Sequence, residues 1–161
     1  MARVLIVGCG CRGQALAREL LAAGHAVRGT TRHHTRQAAI EATGAEAFIA
    51  DPDRVGTLTP ALDGVTVMCL LLGSATGPPE QLEALHTTRL EMLLQRTIDT
   101  TIRGVIYQAT GTIDPQVLAT GAKRLQAICN QNKIPHQTLT ADPNQWLPAT
   151  IKAINALLAT N

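Results

Sequence analysis

Residues 1–32 read MARVLIVGCGCRGQALARELLAAGHAVRGTTR. The apolar run Val4–Val7 leads directly into a glycine turn, a helical pattern of leucines follows, and a second apolar run ends near Arg32. A strand, a Gly-x-Gly-x-x-Gly turn, a helix and a second strand within about thirty residues form a complete dinucleotide-binding unit. This stretch therefore predicts that the chain binds a dinucleotide.

The rest of the chain continues this alternation of apolar runs and helical patterns. Strands are predicted over Arg3 to Gly8, Ala26 to Thr31, Glu46 to Ala50, Val65 to Leu72, Gly104 to Ala109 and Pro135 to Thr140. Helices are predicted over Cys11 to Ala23, His34 to Thr43, Pro79 to Thr100, Pro115 to Asn132 and Asn144 to Ala159. We therefore predict an α/β fold in one compact domain over residues 1–161. It is a three-layer, doubly wound parallel (Rossmann) sheet of about six strands in the order 3-2-1-4-5-6.

The glycine turn supplies the first group of predicted cofactor-binding residues. Gly8 is expected to allow the tight turn, Gly10 to let the backbone approach a pyrophosphate, and Gly13 to let the helix pack closely on the sheet. The helix then begins at Cys11 and Arg12, where free N–H groups and the positive end of the helix dipole favour phosphate.

The end of the second strand distinguishes NADP from NAD. An NAD site usually has an acid there that accepts from the ribose 2′-OH, but residues 29–33 contain no acid. We predict that the planar guanidinium of Arg32 binds a 2′-phosphate, with Thr31 as a hydroxyl donor. Other cations that can reach the same group are His33, Arg36 and Arg12. The cofactor expected is NADP(H), with NAD(H) as the alternative.

Two later loops are expected to complete the cleft, because ligands of doubly wound folds lie at the carboxyl ends of the strands. Asp51 follows the third strand and can accept from the adenine amino group, although a carboxylate that caps its own loop is the alternative. Leu72 and Gly73 follow the fourth strand, and their backbone is expected to form a wall beside the adenosine and ribose.

Composition and charge exclude several classes of function. A formal net charge of +2 over 161 residues does not favour nucleic acid or an anionic membrane as a partner. No apolar stretch approaches the roughly 20 residues that span a bilayer, and we expect no signal peptide. Four cysteines suggest no disulfide framework, and Cys9-x-Cys11 lacks a second pair of metal ligands. We therefore expect a cytoplasmic protein without a metal site.

These motifs resemble the short-chain dehydrogenase/reductase superfamily, in its extended or atypical branch of nucleoside-diphosphate-sugar epimerase-like proteins and NADPH-binding redox sensors. Val4 to Arg32 is similar to the first βαβ unit of that superfamily. Val105 to Gly111 resembles its fifth strand with the serine/threonine turn that follows, and Lys123 to Leu139 its later helix and sixth strand. The resemblance implies an NAD(P)-binding reductase or epimerase.

The catalytic residues that the resemblance implies are incomplete. Active members use a Tyr-x-x-x-Lys pair in which lysine lowers the tyrosine pKa. If Lys123 is the matching lysine, Ala119 occupies the tyrosine position, and Tyr107, the single tyrosine, lies inside a strand. The remaining catalytic candidates are Lys123, beside the nicotinamide ribose, and Thr110, at the position of the superfamily's catalytic hydroxyl.

The sequence thus predicts an NADP(H)-binding protein, like a minimal reductase without conventional Tyr–Lys catalysis. Two alternatives stay open, an active NADP-dependent oxidoreductase on a small carbonyl substrate and a non-enzymatic NADPH sensor. The long predicted helix suggests a homodimer surface if its apolar residues (Leu82, Leu90, Leu94 and Ile98) are not all covered within one chain. Trp146, the single tryptophan, either stacks on a ligand or packs at the start of the last helix.

Overall fold

A computed structural model describes residues 2–159. Its six strands are β1 (Arg3–Val7), β2 (Ala26–Thr31), β3 (Glu46–Ile49), β4 (Val67–Leu70), β5 (Gly104–Gln108) and β6 (His136–Leu139). Its α-helices are α1 (Cys11–Ala22), α2 (Gln37–Glu41), α3 (Pro79–Leu85), α4 (Thr88–Thr97), α5 (Pro115–Gln131) and α6 (Trp146–Ala159). Every observed strand lies within its predicted range. Short 3₁₀ segments cover His34–Arg36 and Val55–Leu62, and sequence patterning did not predict the second of them.

The strands form one parallel sheet in the order β3-β2-β1-β4-β5-β6, which confirms the predicted doubly wound topology. The strand order changes direction between β1 and β4, because β2 and β3 lie on one side of β1 and β4, β5 and β6 lie on the other. In such sheets the carboxyl ends of the strands on either side of this point open a crevice that receives ligands. The topology thus places the glycine turn after β1 at the edge of that crevice.

The sheet has helices on both faces because the side chains of each strand alternate between them. Val4 and Ile6 pack towards α1, α2 and α6, whereas Leu5 and Val7 pack towards α4, α5 and the 3₁₀ segment Val55–Leu62. All four of these β1 residues are fully buried. The three-layer arrangement predicted from the apolar runs is therefore confirmed. Within residues 2–159, no helix is long and apolar enough to cross a membrane.

The predicted helix Pro79 to Thr100 is wrong as a single element. It is broken into α3 and α4 at His86 and Thr87, where Thr87 has the non-helical dihedral angles φ −126° and ψ −92°. The buried His86 side chain forms hydrogen bonds with partners in the core at this break. Apolar periodicity continues across the junction, so the sequence pattern alone does not reveal the break.

The proposed dimer stripe on this segment is also largely covered by the chain itself. Leu90 and Leu94 of α4 are buried beneath neighbouring elements, and Leu82 and Ile98 are half-buried. Met92 is the large apolar residue that α4 exposes. The four predicted residues therefore do not form a continuous exposed apolar face.

Arg28 in β2 is a charged residue that the fold buries. Its Nη1 donates to the carbonyl oxygens of Ala61 and Asp63, at 2.8 Å each, and its Nε donates to Glu46 at 3.2 Å. The guanidinium also lies over the Phe48 ring, 4.9 Å from its centroid. Arg28 thereby attaches the end of the 3₁₀ segment to the sheet.

Candidate functional site

The glycine turn has the backbone conformation that its sequence predicts. Gly8 has φ +85°, and a Cβ there would lie 2.6 Å from the Leu71 carbonyl oxygen, so a larger residue does not fit. Gly10 is different, because its φ of −83° is open to other residues and, apart from residues 9–11 themselves, no protein atom lies within 4 Å of a Cβ built on it. Gly8 is therefore required by the fold, whereas the space beside Gly10 is open.

The N-terminus of α1 faces this open space. Gly10 is its N-cap and supplies no capping side chain, and the first turn contains no acidic residue. The first N–H groups of a helix have no partner within the helix, and they carry the positive end of its dipole. The first hydrogen bond of the helix runs from Gln14 N–H to the Gly10 carbonyl oxygen at 2.8 Å, so the N–H groups that precede Gln14 in the first turn have no partner within the helix. The turn thus offers backbone donors to an anion.

A cleft of about 450 Å³ opens in front of the turn at the carboxyl ends of the strands. It is lined by the glycine turn, the end of β2, the loop after β3, the loop after β4, α3 and the end of β5. Of the predicted cofactor-binding residues, Gly73 alone does not line the cleft. The residues that do line it are Gly8, Gly10, Cys11, Arg12, Gly13, Thr31, Arg32, Asp51 and Leu72. The structure therefore brings these separated stretches of sequence together around one space.

Arg12, Arg32 and Arg36 line the cleft, and the first two make contacts with other side chains or loops. The Nη2 group of Arg32 donates to the Thr76 carbonyl oxygen at 2.7 Å and to its hydroxyl at 3.3 Å, which joins the end of β2 to the loop after β4. Arg12 lies over Trp146, with 5.7 Å between its guanidinium carbon and the ring centroid. Trp146 is buried at the start of α6, so its ring packs in the core and one face of it contacts the Arg12 guanidinium.

Thr31 and Asp51 both make local hydrogen bonds. The Thr31 hydroxyl accepts from the His33 backbone N–H at 3.2 Å. The Asp51 carboxylate accepts from the Asp53 backbone N–H at 2.9 Å, which is the loop-capping role named above as its alternative. Both residues nevertheless line the cleft. Their local bonds hold the ends of β2 and β3 in defined conformations beside it.

Gly73 lies behind the cleft wall instead of lining it. A Cβ at this position would overlap the carbonyl oxygen of Thr110, so the loops after β4 and β5 pass in close contact here. Gly73 N–H donates to Oε1 of Gln108 at 3.3 Å, and the Gly73 carbonyl oxygen accepts from Ile113 N–H at 3.1 Å. Gly73 therefore joins the loops after β4 and β5 directly next to Leu72.

A buried polar group lies directly behind Leu72. Nε2 of His86 is 2.9 Å from the Leu72 carbonyl oxygen, and Nδ1 is 2.6 Å from the Tyr107 hydroxyl. The two rings meet edge to face, with centroids 5.7 Å apart. Burial lowers the pKa of His86 and raises that of Tyr107, so both are neutral near pH 7. Because a carbonyl oxygen only accepts, Nε2 of neutral His86 carries the proton and Nδ1 accepts from Tyr107.

The predicted catalytic candidates lie outside the cleft lining. Lys123 is exposed on α5, as is Ala119, and Thr110 is half-buried after β5. Tyr107 is 1% exposed and bonded to His86, so its hydroxyl is part of the core. No Tyr–Lys pair faces the cleft among residues 2–159. In the same residues, no group of three or more His, Cys, Asp or Glu side chains could hold a metal ion.

Several cleft residues were missed by the sequence analysis. Gln108 ends β5 and lines the cleft, Gln81 lines it from α3, and Thr76 meets Arg32 at its rim. The rule that ligands lie at strand carboxyl ends would have identified Gln108, because it is the last residue of an apolar strand. Gln81 and Thr76 have no comparable signal, since their positions depend on how the loop after β4 folds back.

Comparisons with known proteins support the fold. No protein-family model matches the chain, and no curated protein does. Solved structures do match. A short-chain dehydrogenase/reductase superfamily protein from Agrobacterium tumefaciens, with bound NAD, is 15% identical over 84% of this chain and 48% of its own, with a TM-score of 0.70. Vestitone reductase from alfalfa is 16% identical over 86% and 56%, with a TM-score of 0.67.

A UDP-glucose 4-epimerase from Thermotoga maritima, with UDP-glucose, is 11% identical over 84% of this chain and 54% of its own, with a TM-score of 0.71. The chain thus spans about half the length of these three structures. At such low identity the likeness shows the fold alone, and at that level it confirms the predicted resemblance.

Proposed function

We propose that this chain binds a nicotinamide dinucleotide in the cleft, with NADP(H) preferred over NAD(H). The observation that carries the proposal is the open α1 N-terminus beside Gly10, at the edge of a 450 Å³ cleft. The bound NAD in the Agrobacterium structure supports the class of cofactor. The same cleft in a doubly wound sheet is where such ligands lie.

The residues present fit the parts of the cofactor. The N–H groups at the start of α1 would hold the pyrophosphate, because no acidic side chain of the first turn competes with it. Arg32 would hold the 2′-phosphate, since its bonds to Thr76 use Nη2 and leave the other N–H groups of the guanidinium for a ligand. Bound NADPH would supply a hydride, and the residues named above would bind and orient the cofactor.

We further propose that the chain lacks conventional Tyr–Lys catalysis, as the places of Ala119, Lys123 and Tyr107 suggest. The alternatives are an active oxidoreductase on a small carbonyl and a sensor of the NADPH/NADP ratio. Steady NADPH oxidation with a panel of carbonyl compounds, abolished by Thr110→Val, would favour the oxidoreductase. Unequal affinity for the two redox forms without turnover would favour the sensor, because only differential affinity shifts an equilibrium.

The proposal includes a cytoplasmic location. All four cysteines are free and three of them are buried, which suits a reducing compartment. Fractionation of cells that express the tagged chain would test it, and recovery outside the cytoplasm would contradict it. Light scattering at high concentration tests the homodimer, for which a monomeric mass is the contrary result.

The direct test is equilibrium titration of the wild type with NADPH and NADH, followed by Arg32→Ala. Loss of the charge-assisted bonds to a 2′-phosphate is worth about 1.5–3 kcal/mol, so we expect Kd for NADPH to rise roughly 10- to 150-fold. Kd for NADH should stay within about twofold because NADH has no such phosphate. Arg18→Ala removes an exposed arginine of α1 and is the matched control.

Three results would contradict the proposal at different levels. Tighter binding of NADH than NADPH by the wild type would overturn the preference for NADP(H). An equal loss of affinity in Arg18→Ala would show a general effect of positive charge. Failure of the wild type to bind either dinucleotide would overturn the proposal as a whole.

A further inference from the structure

The peptide group that joins Leu72 to Gly73 is held at both of its polar ends by buried side chains. Its carbonyl oxygen accepts from Nε2 of His86 at 2.9 Å, and its N–H donates to Oε1 of Gln108 at 3.3 Å. His86 is 1% exposed and Gln108 3% exposed. The two side chains come from different elements, the α3–α4 junction and the end of β5. A single peptide plane at the cleft wall is therefore fixed from two directions.

The His86 end of this arrangement is itself held in place. The Leu72 carbonyl oxygen can only accept, so the proton of the neutral ring is on Nε2, and Nδ1 accepts from the Tyr107 hydroxyl 2.6 Å away. The Tyr107 hydroxyl also occupies the space where a side chain at position 121 would be, and that position is a glycine. The ring thus has one orientation and one tautomer in which both nitrogens are bonded.

The Gln108 end is held by the crossing of two loops. Gly73 packs against the Thr110 backbone, and its carbonyl oxygen accepts from Ile113 N–H, so the loop after β4 cannot move away from β5 without breaking both contacts. Gln108 lines the cleft as well as bonding Gly73. It therefore connects the buried peptide directly to the space where a ligand would lie.

We propose that His86 and Gln108 are positioning residues for dinucleotide binding, which act by fixing the orientation of the Leu72–Gly73 peptide at the cleft wall. The inference rests on the proposed function, because it needs a ligand in the cleft. In this orientation the Leu72 carbonyl oxygen points into the core towards His86. A rotated peptide would turn that oxygen towards the cleft, where it would repel the anionic groups of a dinucleotide and displace Leu72 from the wall.

The arrangement explains features that the fold alone does not need. The break between α3 and α4 lies at His86, so the helix is interrupted where its side chain reaches Leu72. Two polar side chains are buried behind one wall of the cleft, although apolar residues would fill the same volume at no desolvation cost. Polar groups in such a place are satisfied only in the observed orientation of the peptide.

The test compares cofactor affinity with stability in matched variants. His86→Leu and Gln108→Met each remove one bond to the peptide, and His86→Leu also removes the bond to Tyr107, whereas His86→Gln retains an N–H donor. Kd for NADPH is measured on the folded protein from the fluorescence of Trp146 or of NADPH, and unfolding is followed by circular dichroism. Thr97→Val is the control, because it removes a buried hydroxyl whose one bond among residues 2–159 lies within α4, to the Leu94 carbonyl oxygen.

A positioning role predicts that His86→Leu and Gln108→Met raise Kd about tenfold or more, and that His86→Gln restores most of the affinity. Thr97→Val should lower stability and leave Kd within about twofold of the wild type. If the removed bonds were merely structural, all four variants would bind NADPH like the wild type once folded. That result, with a wild type that binds, would overturn this inference and leave the proposed function intact. A wild type that binds no dinucleotide would overturn both.

Should His86→Leu not fold, Gln108→Met and amide exchange decide the matter. In the wild type, the Gly73 amide should exchange slowly because it is bonded to Gln108. In Gln108→Met it should exchange faster, together with the loss of affinity. Fast exchange at Gly73 in the wild type would show that the peptide is not held, and would overturn the inference without any substitution.

Discussion

Gly10→Ala separates what the glycine turn does for the fold from what it does for a ligand. Position 10 has a negative φ of −83° and, apart from residues 9–11 themselves, no protein atom within 4 Å of an added Cβ. The methyl group therefore meets nothing in the protein and projects into the space before the α1 N-terminus. Gly8, only two residues earlier, does not allow this separation because its added Cβ would lie 2.6 Å from the Leu71 carbonyl oxygen.

Two opposing effects set the expected change in stability for Gly10→Ala. Alanine reduces the entropy of the unfolded chain, which stabilises by about 0.4–1 kcal/mol at a compatible position. Alanine is also a poorer helix N-cap than glycine, which costs about 0.5–1 kcal/mol. The free energy of unfolding should therefore change by less than about 1 kcal/mol. For a chain of this size that corresponds to a Tm shift of no more than about 2–4 °C.

The expected change in affinity is much larger. A methyl group at position 10 would keep a pyrophosphate from the helix N–H groups and remove at least one charge-assisted hydrogen bond, worth about 1.5–3 kcal/mol. Kd for NADPH should therefore rise roughly 10- to 150-fold. Kd for NADH should rise by a similar factor, because both cofactors share the pyrophosphate.

Isothermal titration with both cofactors and thermal unfolding of the same samples measure the two quantities. Gly56→Ala is the matched control, since Gly56 also has open space around an added Cβ and lies in the 3₁₀ segment outside the cleft lining. It should bind both cofactors like the wild type. The reasoning is refuted if Gly10→Ala binds with unchanged Kd, because the pyrophosphate would then not approach position 10. A Tm loss well above 4 °C would show that the glycine has a structural role that its surroundings do not reveal.

Three further predictions concern the fold. Gly121→Ala should lower the free energy of unfolding by about 1–3 kcal/mol, because its methyl group overlaps the Tyr107 hydroxyl. In a double-mutant cycle measured by urea unfolding, adding Tyr107→Phe should recover part of this loss. Losses that simply add would contradict the overlap. Arg28→Ala should cost about 2–5 kcal/mol, since two carbonyl oxygens lose their buried donor, and should leave NADPH affinity unchanged; a loss below about 1 kcal/mol by the same assay would count against it. Burial raises the pKa of the Cys9 and Cys129 thiols from 9.0 to about 11. The unfolded chain therefore releases these protons at a lower pH than the folded protein. The free energy of unfolding keeps its full value below pH 9 and decreases as the pH rises from 9 to 11. A Tm that stays constant over this range would contradict the raised pKa values.

Much of the fold was predictable because its determinants are local in sequence. Each strand is a short apolar run, each turn is marked by glycine or proline, and right-handed crossovers leave few ways to order six parallel strands. The N-cap of α5 is an example, since Asp114 followed by Pro115 was enough to indicate where the helix begins, and its carboxylate does accept from Gln116 N–H at 2.9 Å. The glycine turn identified the cleft for the same reason.

The break at His86 was not predictable, because its cause lies in distant parts of the chain. The imidazole is bonded to a carbonyl 14 residues earlier and a hydroxyl 21 residues later, while the apolar spacing of the helical pattern runs on without interruption. A histidine in such a pattern reads equally well as a surface residue. The hydrogen bond between His86 and Tyr107 of β5 forms beside the non-helical residue Thr87, and no spacing within the helical pattern indicates it.

The sequence by itself determined the order of the strands and the position of the glycine turn. It also established that no acidic residue lies at the end of β2, where Arg32 lies instead. These follow from residue types and short spacings, which local sterics and hydrophobic burial translate directly into structure. Only the tertiary structure decided that Arg32 meets Thr76, 44 residues away, and that Gly73 meets Gln108, 35 residues away. Such pairs depend on how loops cross once the sheet has formed, and a hydrogen bond between distant residues leaves no periodic trace in the sequence. For this reason the cleft was visible from the sequence, whereas the side chains that hold its wall were not.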